Sequence, residues 1–113
     1  MRDENCLFCR MIEGKIPIDK VDENEHCLAF RDIQAQAPCH ILIIPKTHYS
    51  GVSEMSDPSE IGELILMANR VAKKEALESG YRLVFNQGLD AGQSVFHTHL
   101  HLLGKRKMNW PPG

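Results

Sequence analysis

His97-Thr98-His99-Leu100-His101-Leu102-Leu103, near the C-terminus, sets three histidines at a period of two. In a β-strand alternate side chains share a face, with same-face neighbours ~6.5–7 Å apart. The run therefore predicts a strand whose imidazoles line one side while Thr98, Leu100 and Leu102 face the other. Packing has no need of three such groups. Imidazole exchanges protons near neutral pH, attacks as a nucleophile and binds metals. Half of the chain's six histidines fall within these five residues, whereas a strand face turned to water is usually filled by Lys, Glu, Thr or Ser. A metal triad is a second plain reading, since neighbouring same-face positions can share an ion, but a third histidine two places on reaches it less easily.

Nucleotide chemistry is the third reading, and the residues upstream favour it. Asn86-Gln87-Gly88-Leu89-Asp90-Ala91-Gly92-Gln93-Ser94 is a polar loop between two apolar runs. Gly88 and Gly92 permit positive φ and close approach of a ligand. Exposed amide N–H groups of such a loop, with the Ser94 hydroxyl, suit a phosphate. Alone, the same loop would be an ordinary hairpin turn.

The remainder of the chain reads as an α+β domain. Residues 6–13 suit a short helix with Asn5 as N-cap and Gly14 just past its end. Short strands are expected at 20–23 and 27–31, and a more buried one at Ile41-Leu42-Ile43-Ile44, stopped by Pro45. Asp57-Pro58 opens the main helix as N-cap and first residue. Ile61, Leu64, Ile65, Ala68, Val71 and Ala72 form its apolar stripe, and Gly80 closes it. Strands at 81–86 and 95–103 complete a mainly antiparallel sheet under one long helix. No linker or repeat divides residues 1–113, which are expected to form one domain. A formal net charge of −2 argues against nucleic-acid binding by bulk electrostatics, and Lys105-Arg106-Lys107 reads as a surface turn. No apolar run approaches ~18 residues, and the N-terminal stretch from Met1 lacks the apolar centre of a signal peptide. A cytoplasmic location with four reduced cysteines is the expectation.

His97 to Leu103 matches the His-φ-His-φ-His-φ-φ signature of the histidine-triad (HIT) superfamily, with Thr98 in the first φ slot as a departure. Cys27-Leu28-Ala29-Phe30-Arg31-Asp32-Ile33, Ala37-Pro38-Cys39-His40 through Lys46, and Gly92-Gln93-Ser94-Val95-Phe96 also resemble it. Trp110-Pro111-Pro112-Gly113 resembles the end of the Hint branch, the purine nucleoside phosphoramidases. The resemblance spans nearly the whole chain. It implies a HIT-like fold: a mainly antiparallel five-stranded sheet, one long helix and a short N-terminal helix, with the sheet extended across a homodimer.

The same resemblance implies attack by His99 on the α-phosphorus of a purine nucleoside phosphoramidate, giving a nucleotidyl-histidine that water hydrolyses to AMP. Splitting one displacement into two suits imidazole, a far better nucleophile than water while its attacking nitrogen is unprotonated. A backbone carbonyl of the same strand would fix its tautomer. The amine must be protonated as it leaves, and His101 and His40 are the candidates to supply the proton or to hold the phosphoryl oxygens, with Ser94 as a further donor. His40 alone would read as a structural histidine. Asp32 matches the residue that accepts from the ribose hydroxyls, although a turn-capping Asp is common at such positions. Ile33, Phe8 and Phe30 resemble the apolar clamp on the base, Asn86 and Gln93 lie near ribose and phosphate, and Trp110 reaches the partner's site. The purine nucleotide and a second copy of the chain are the expected partners; no nucleic acid and no membrane are.

Cys6 and Cys9 can offer two thiolates to one metal, and four ligands are usual for structural zinc. Some bacterial relatives carry such a pair with histidines matching His48 and His97, which implies a Cys₂His₂ site of Cys6, Cys9, His48 and His97. No cofactor is implied for catalysis. Zinc there would take His97 out of proton chemistry and leave His99, His101 and His40. The redox reading of Cys-x-x-Cys lacks its βαβ context. Cys27 and Cys39 read as buried small residues. Two other function classes fit the same residues: a nucleotide-binding regulator with incidental hydrolysis, and a dinucleoside polyphosphate hydrolase or nucleotidyl transferase. His101 stands where the transferases carry Gln, and the Trp-Pro-Pro-Gly tail disfavours the polyphosphate hydrolases.

Overall fold

The structure, a computed structural model, describes residues 2–113, so Met1 of the polar N-terminal stretch lies outside it. Helix α1 (Leu7–Ile12) is followed by strands β1 (Lys20–Glu23), β2 (Cys27–Arg31) and β3 (Cys39–Pro45), helix α2 (Pro58–Lys74), and strands β4 (Tyr81–Phe85) and β5 (Leu100–Gly104). The five strands form one sheet in the order β1-β2-β3-β5-β4, every neighbouring pair antiparallel. This is the α+β architecture expected: one long helix, one short helix, and a five-stranded antiparallel sheet.

Strand β3 is buried along its whole length, because it is central and both faces are covered. On one face α2 lays Leu64, Met67, Ala68, Val71 and Ala72 against Ala29, Ile41, Ile43, Leu100 and Leu102. On the other, α1 packs Phe8 and Cys9 onto Leu28, Phe30, Leu42 and Ile44. Strand β5 sends Leu100, Leu102 and Gly104 under α2, which leaves His101 on the α1 side. Gly104 is required by close approach: a Cβ there would lie 2.8 Å from Leu77 Cδ2.

Three local expectations are corrected. The N-cap of α1 is Cys6, whose Sγ accepts from the Cys9 amide; Asn5 instead donates its own amide to Asp3. Asp57 caps α2 through the Ser59 amide with Pro58 behind it, but the helix ends at Lys74 and not at Gly80. Ala76 takes the left-handed turn at φ +58 and Leu77 folds back into the core. The strand carrying the histidines begins at Leu100, not at residue 95, because residues 95–97 form a bend. The Thr98 amide donates to Tyr49 O at 2.8 Å, tying the stretch ahead of β5 to the segment after β3. Among the described residues no helix is long and apolar enough to cross a membrane.

Candidate active site

The bend and β5 set the three histidines along the α1 side of the sheet in spite of the shorter strand. The Phe8 ring meets both His97 and His99 edge-on, at centroid distances of 5.8 and 5.2 Å. The His99 and His101 rings lie 5.0 Å apart, and His40, from β3, stands 5.2 Å from His101.

Hydrogen bonds fix which nitrogen of each ring carries a proton. His99 Nδ1 lies 2.7 Å from the His97 carbonyl. A carbonyl only accepts, so Nδ1 carries the hydrogen and Nε2 of the neutral ring keeps its lone pair. The acceptor belongs to the bend ahead of β5, two residues upstream in the same run. His40 Nδ1 accepts from the Gln36 amide at 3.0 Å, so neutral His40 carries its hydrogen on Nε2. That Nε2 donates to His101 Nδ1 at 2.9 Å and passes 3.4 Å from Asp32 Oδ2. His101 then holds its hydrogen on Nε2, which among the described residues is the one buried side-chain nitrogen or oxygen without a partner.

Burial keeps the His40 and His101 rings neutral. It pushes His101 down to about 4, helped by His99 and His40 and opposed by Asp32. His40 is also lowered, by burial against the pull of Asp32.

At the other end of the run the rings meet thiols. His97 Nε2 donates to Pro45 O at 2.9 Å, which frees Nδ1. That Nδ1 lies 3.3 Å from Cys6 Sγ, 3.5 Å from Cys9 Sγ and 3.1 Å from His48 Nδ1, and His48 Nδ1 is 3.3 Å from Cys9 Sγ. All four ligand atoms fall within 4.8 Å of one another. Tetrahedral zinc with ordinary bond lengths places its sulfur and nitrogen ligands ~3.5 Å apart and its two nitrogens ~3.3 Å apart. Cys6, Cys9, His48 and His97 fit that ion. Cys6 Sγ also accepts from the Cys9 amide and Cys9 Sγ from the Asp3 amide, both at 3.4 Å, and the second bond favours the Cys9 thiolate. Burial raises the Cys9 thiol above its ordinary value, a bias that a divalent cation reverses.

The sequence model of the HIT domain family matches residues 13–108. The chain belongs to the HIT domain family. It is 49% identical over 116 residues to the 14 kDa zinc-binding protein of Zea mays, spanning 98% of this chain and 90% of that protein. The crystal structure of the HIT family hydrolase from Legionella pneumophila superposes with a TM-score of 0.94 at 49% identity, covering 96% of this chain and all (100%) of that one. The histidine triad nucleotide-binding protein from Candida albicans superposes with a TM-score of 0.86 at 32% identity, covering 94% and 82%.

In this HIT chain Asp32 follows β2 and does two things at once. Its Oδ1 accepts from the Gln34 amide at 2.9 Å, the turn-capping contact, while Oδ2 faces His40. Phe8 and Phe30 are buried in an edge-to-face pair 5.7 Å apart, and Ile33, just past Phe30 in sequence, stands 98% exposed. Asn86, half-buried, follows β4. Gly88 and Gly92 take φ of +87 and +88 in the loop beyond. Gln93 is buried with its amide engaged by backbone: Oε1 accepts from Gly88, and Nε2 donates to Ser50 O and Val95 O. It braces the loop that holds Ser94, which is exposed. Trp110 is 82% exposed in the C-terminal tail, apart from the histidines of its own chain in sequence. The residues that sequence reasoning missed are backbone groups: the Gln36 amide and the Pro45 carbonyl, which set the tautomers of His40 and His97. No side-chain signal marks them.

Proposed function

We propose that this HIT protein is a nucleotide hydrolase of the Hint type, cleaving the P–N bond of purine nucleoside 5′-phosphoramidates, adenosine preferred. The observation that carries it is the His99 tautomer: Nδ1–H committed to the His97 carbonyl, Nε2 left as a lone pair beside the unpartnered Nε2–H of His101. The names of the Legionella and Candida relatives, a hydrolase and a nucleotide-binding protein, support the class. One domain, working in the cytoplasm, is the corresponding picture of the chain.

In the first half-reaction His99 Nε2 bonds to the α-phosphorus and the P–N bond breaks, its electron pair leaving on nitrogen. The amine takes the Nε2 proton of His101, which is protonated on Nδ1 when the anionic phosphate enters beside it, the His40 Nε2–H then turning to Asp32 Oδ2. A ring held down to about 4 by burial is a strong acid once charged. In the second half a water loses a proton to His101 as its oxygen bonds to phosphorus, and His99 departs neutral. AMP, the amine and the original protonation state are restored. Asp32 steadies the His40–His101 pair and keeps lone pairs for the ribose hydroxyls. Ile33, Phe8 and Phe30 form an apolar wall for the purine, Asn86 and Ser94 meet ribose and phosphate, and Gln93 acts through the loop. Cys6, Cys9, His48 and His97 would hold a zinc ion whose part is structural, fixing His97 in place and so the carbonyl that orients His99.

A homodimer completes the proposal. Among the described residues strand β4 pairs only with β5, which leaves one edge to continue the sheet into a second copy. Leu66 on α2 and Trp110 in the tail are exposed large apolar side chains that such a partner would cover. Hydrolysis of adenosine 5′-phosphoramidate by wild type and His99→Ala, followed as AMP release, tests the assignment. Turnover by wild type and its loss in the variant support it. Preference for P–O–P over P–N bonds, or AMP binding without turnover, overturns it.

A further inference from the structure

Where β4 begins and β5 ends lies a groove of about 690 Å³, the size of small-molecule clefts. Gly80, Tyr81 and Arg82 form one side, Lys105, Arg106 and Lys107 the other, and no carboxylate lines it. The charge is unbalanced in a chain of net −2. Among the described residues, every lysine and arginine outside the groove except Arg10 and Lys73 is ion-paired with a carboxylate, and none of these four is.

The guanidiniums are oriented without being neutralised. Arg82 Nη2 donates to Asn109 O at 2.9 Å, and Arg106 donates from Nε to Gln36 O and from Nη1 to Lys107 O. Carbonyl partners hold the forks in place and leave the positive charge uncompensated. Lys105 adopts φ +66, a conformation that Gly or Asn takes at least cost. A lysine therefore occupies a turn position that backbone preference would give to another residue.

We infer that this groove, separate from the histidine site, binds a small anion carrying several phosphates. Four cations at one concavity match a compact multiply charged ligand. A long polyanion would need a basic track beyond the groove, which a chain of net −2 does not provide. Arg106 also ties the site to the catalytic histidines, because the Gln36 residue whose carbonyl it holds gives its amide to His40 Nδ1.

Inorganic tripolyphosphate titrated into the full-length protein, followed by calorimetry and amide NMR, tests this. Saturable binding of one anion per chain is expected, with the largest shifts at Gly80, Arg82 and residues 105–107. Affinity should fall at least tenfold in the Lys105→Gln/Lys107→Gln variant and fall as salt rises. Lys107→Gln alone, expected to cost about threefold, serves if the double variant fails to fold. Shifts confined to residues 94–101, unchanged affinity in the variants, or no saturation at millimolar anion overturns the proposal. So does tighter binding of an acidic peptide or an oligonucleotide than of tripolyphosphate.

Discussion

His97 and His99 lie two residues apart, share the edge of the Phe8 ring, and hold opposite tautomers. His97 spends Nε2 on the Pro45 carbonyl and presents Nδ1 to two thiols and His48; His99 spends Nδ1 on the His97 carbonyl and presents Nε2. The side chains are identical, so the difference comes from which carbonyl each ring can reach. Backbone placement leaves Nδ1 of one imidazole facing two thiols and Nε2 of its neighbour with a free lone pair.

Exchanging the two roles by mutation should give opposite phenotypes. His99→Ala is expected to lower phosphoramidate turnover by at least about a thousandfold while zinc content and AMP binding persist. Loss of zinc together with activity would merge the two sites into one. Cys9→Ser should do the reverse first: less than one zinc per chain by metal analysis, and a melting temperature lower by about 10 °C or more, as structural zinc contributes folding energy outright. Unchanged stability would remove the metal from the fold.

Acid should weaken the fold around His101 in a defined window. Unfolded histidines protonate near pH 6.5, whereas folded His101 does so only near 4. Between those values the unfolded state binds more protons, so stability is complete above about pH 6.5 and declines as pH falls toward 4. Urea midpoints across that range should show the decline, and His101→Asn should reduce its slope, His40 and His97 being lowered by burial as well. Asp32→Asn is expected to raise KM about tenfold, and its effect on kcat separates ribose binding from support of His40. Deleting residues 110–113 should change stability least, by under about 1 kcal/mol, and shift substrate preference instead. Sedimentation as a fully active monomer would break the dimer reading on which that last outcome depends.

Period-two alternation placed Leu100 and Leu102 under the long helix and the histidines on the opposite face, even though only His101 lies within the strand. Side-chain direction in extended backbone survives the loss of ladder pairing. Asp57-Pro58 marked the start of α2 because a capping carboxylate and a proline lacking N–H satisfy the same helix end. The end of α2 was not legible: Ala76 at φ +58 carries the turn, and no composition rule singles out an alanine there. Asn5 was the better cap by type, yet Cys6 caps because its sulfur is held in the thiol–imidazole cluster.

The sequence by itself determined the α+β class and the histidine face, which are matters of residue type and spacing, and its resemblance to the HIT superfamily supplied the family and the four candidate zinc ligands. Only the tertiary structure decided what each histidine can do. His48 and His97 meet through the Thr98–Tyr49 backbone contact, His40 and His101 through adjacent strands, and every tautomer through a main-chain group. Main-chain donors and acceptors are alike at nearly every position of a sequence; folding alone selects the few that a ring nitrogen can reach.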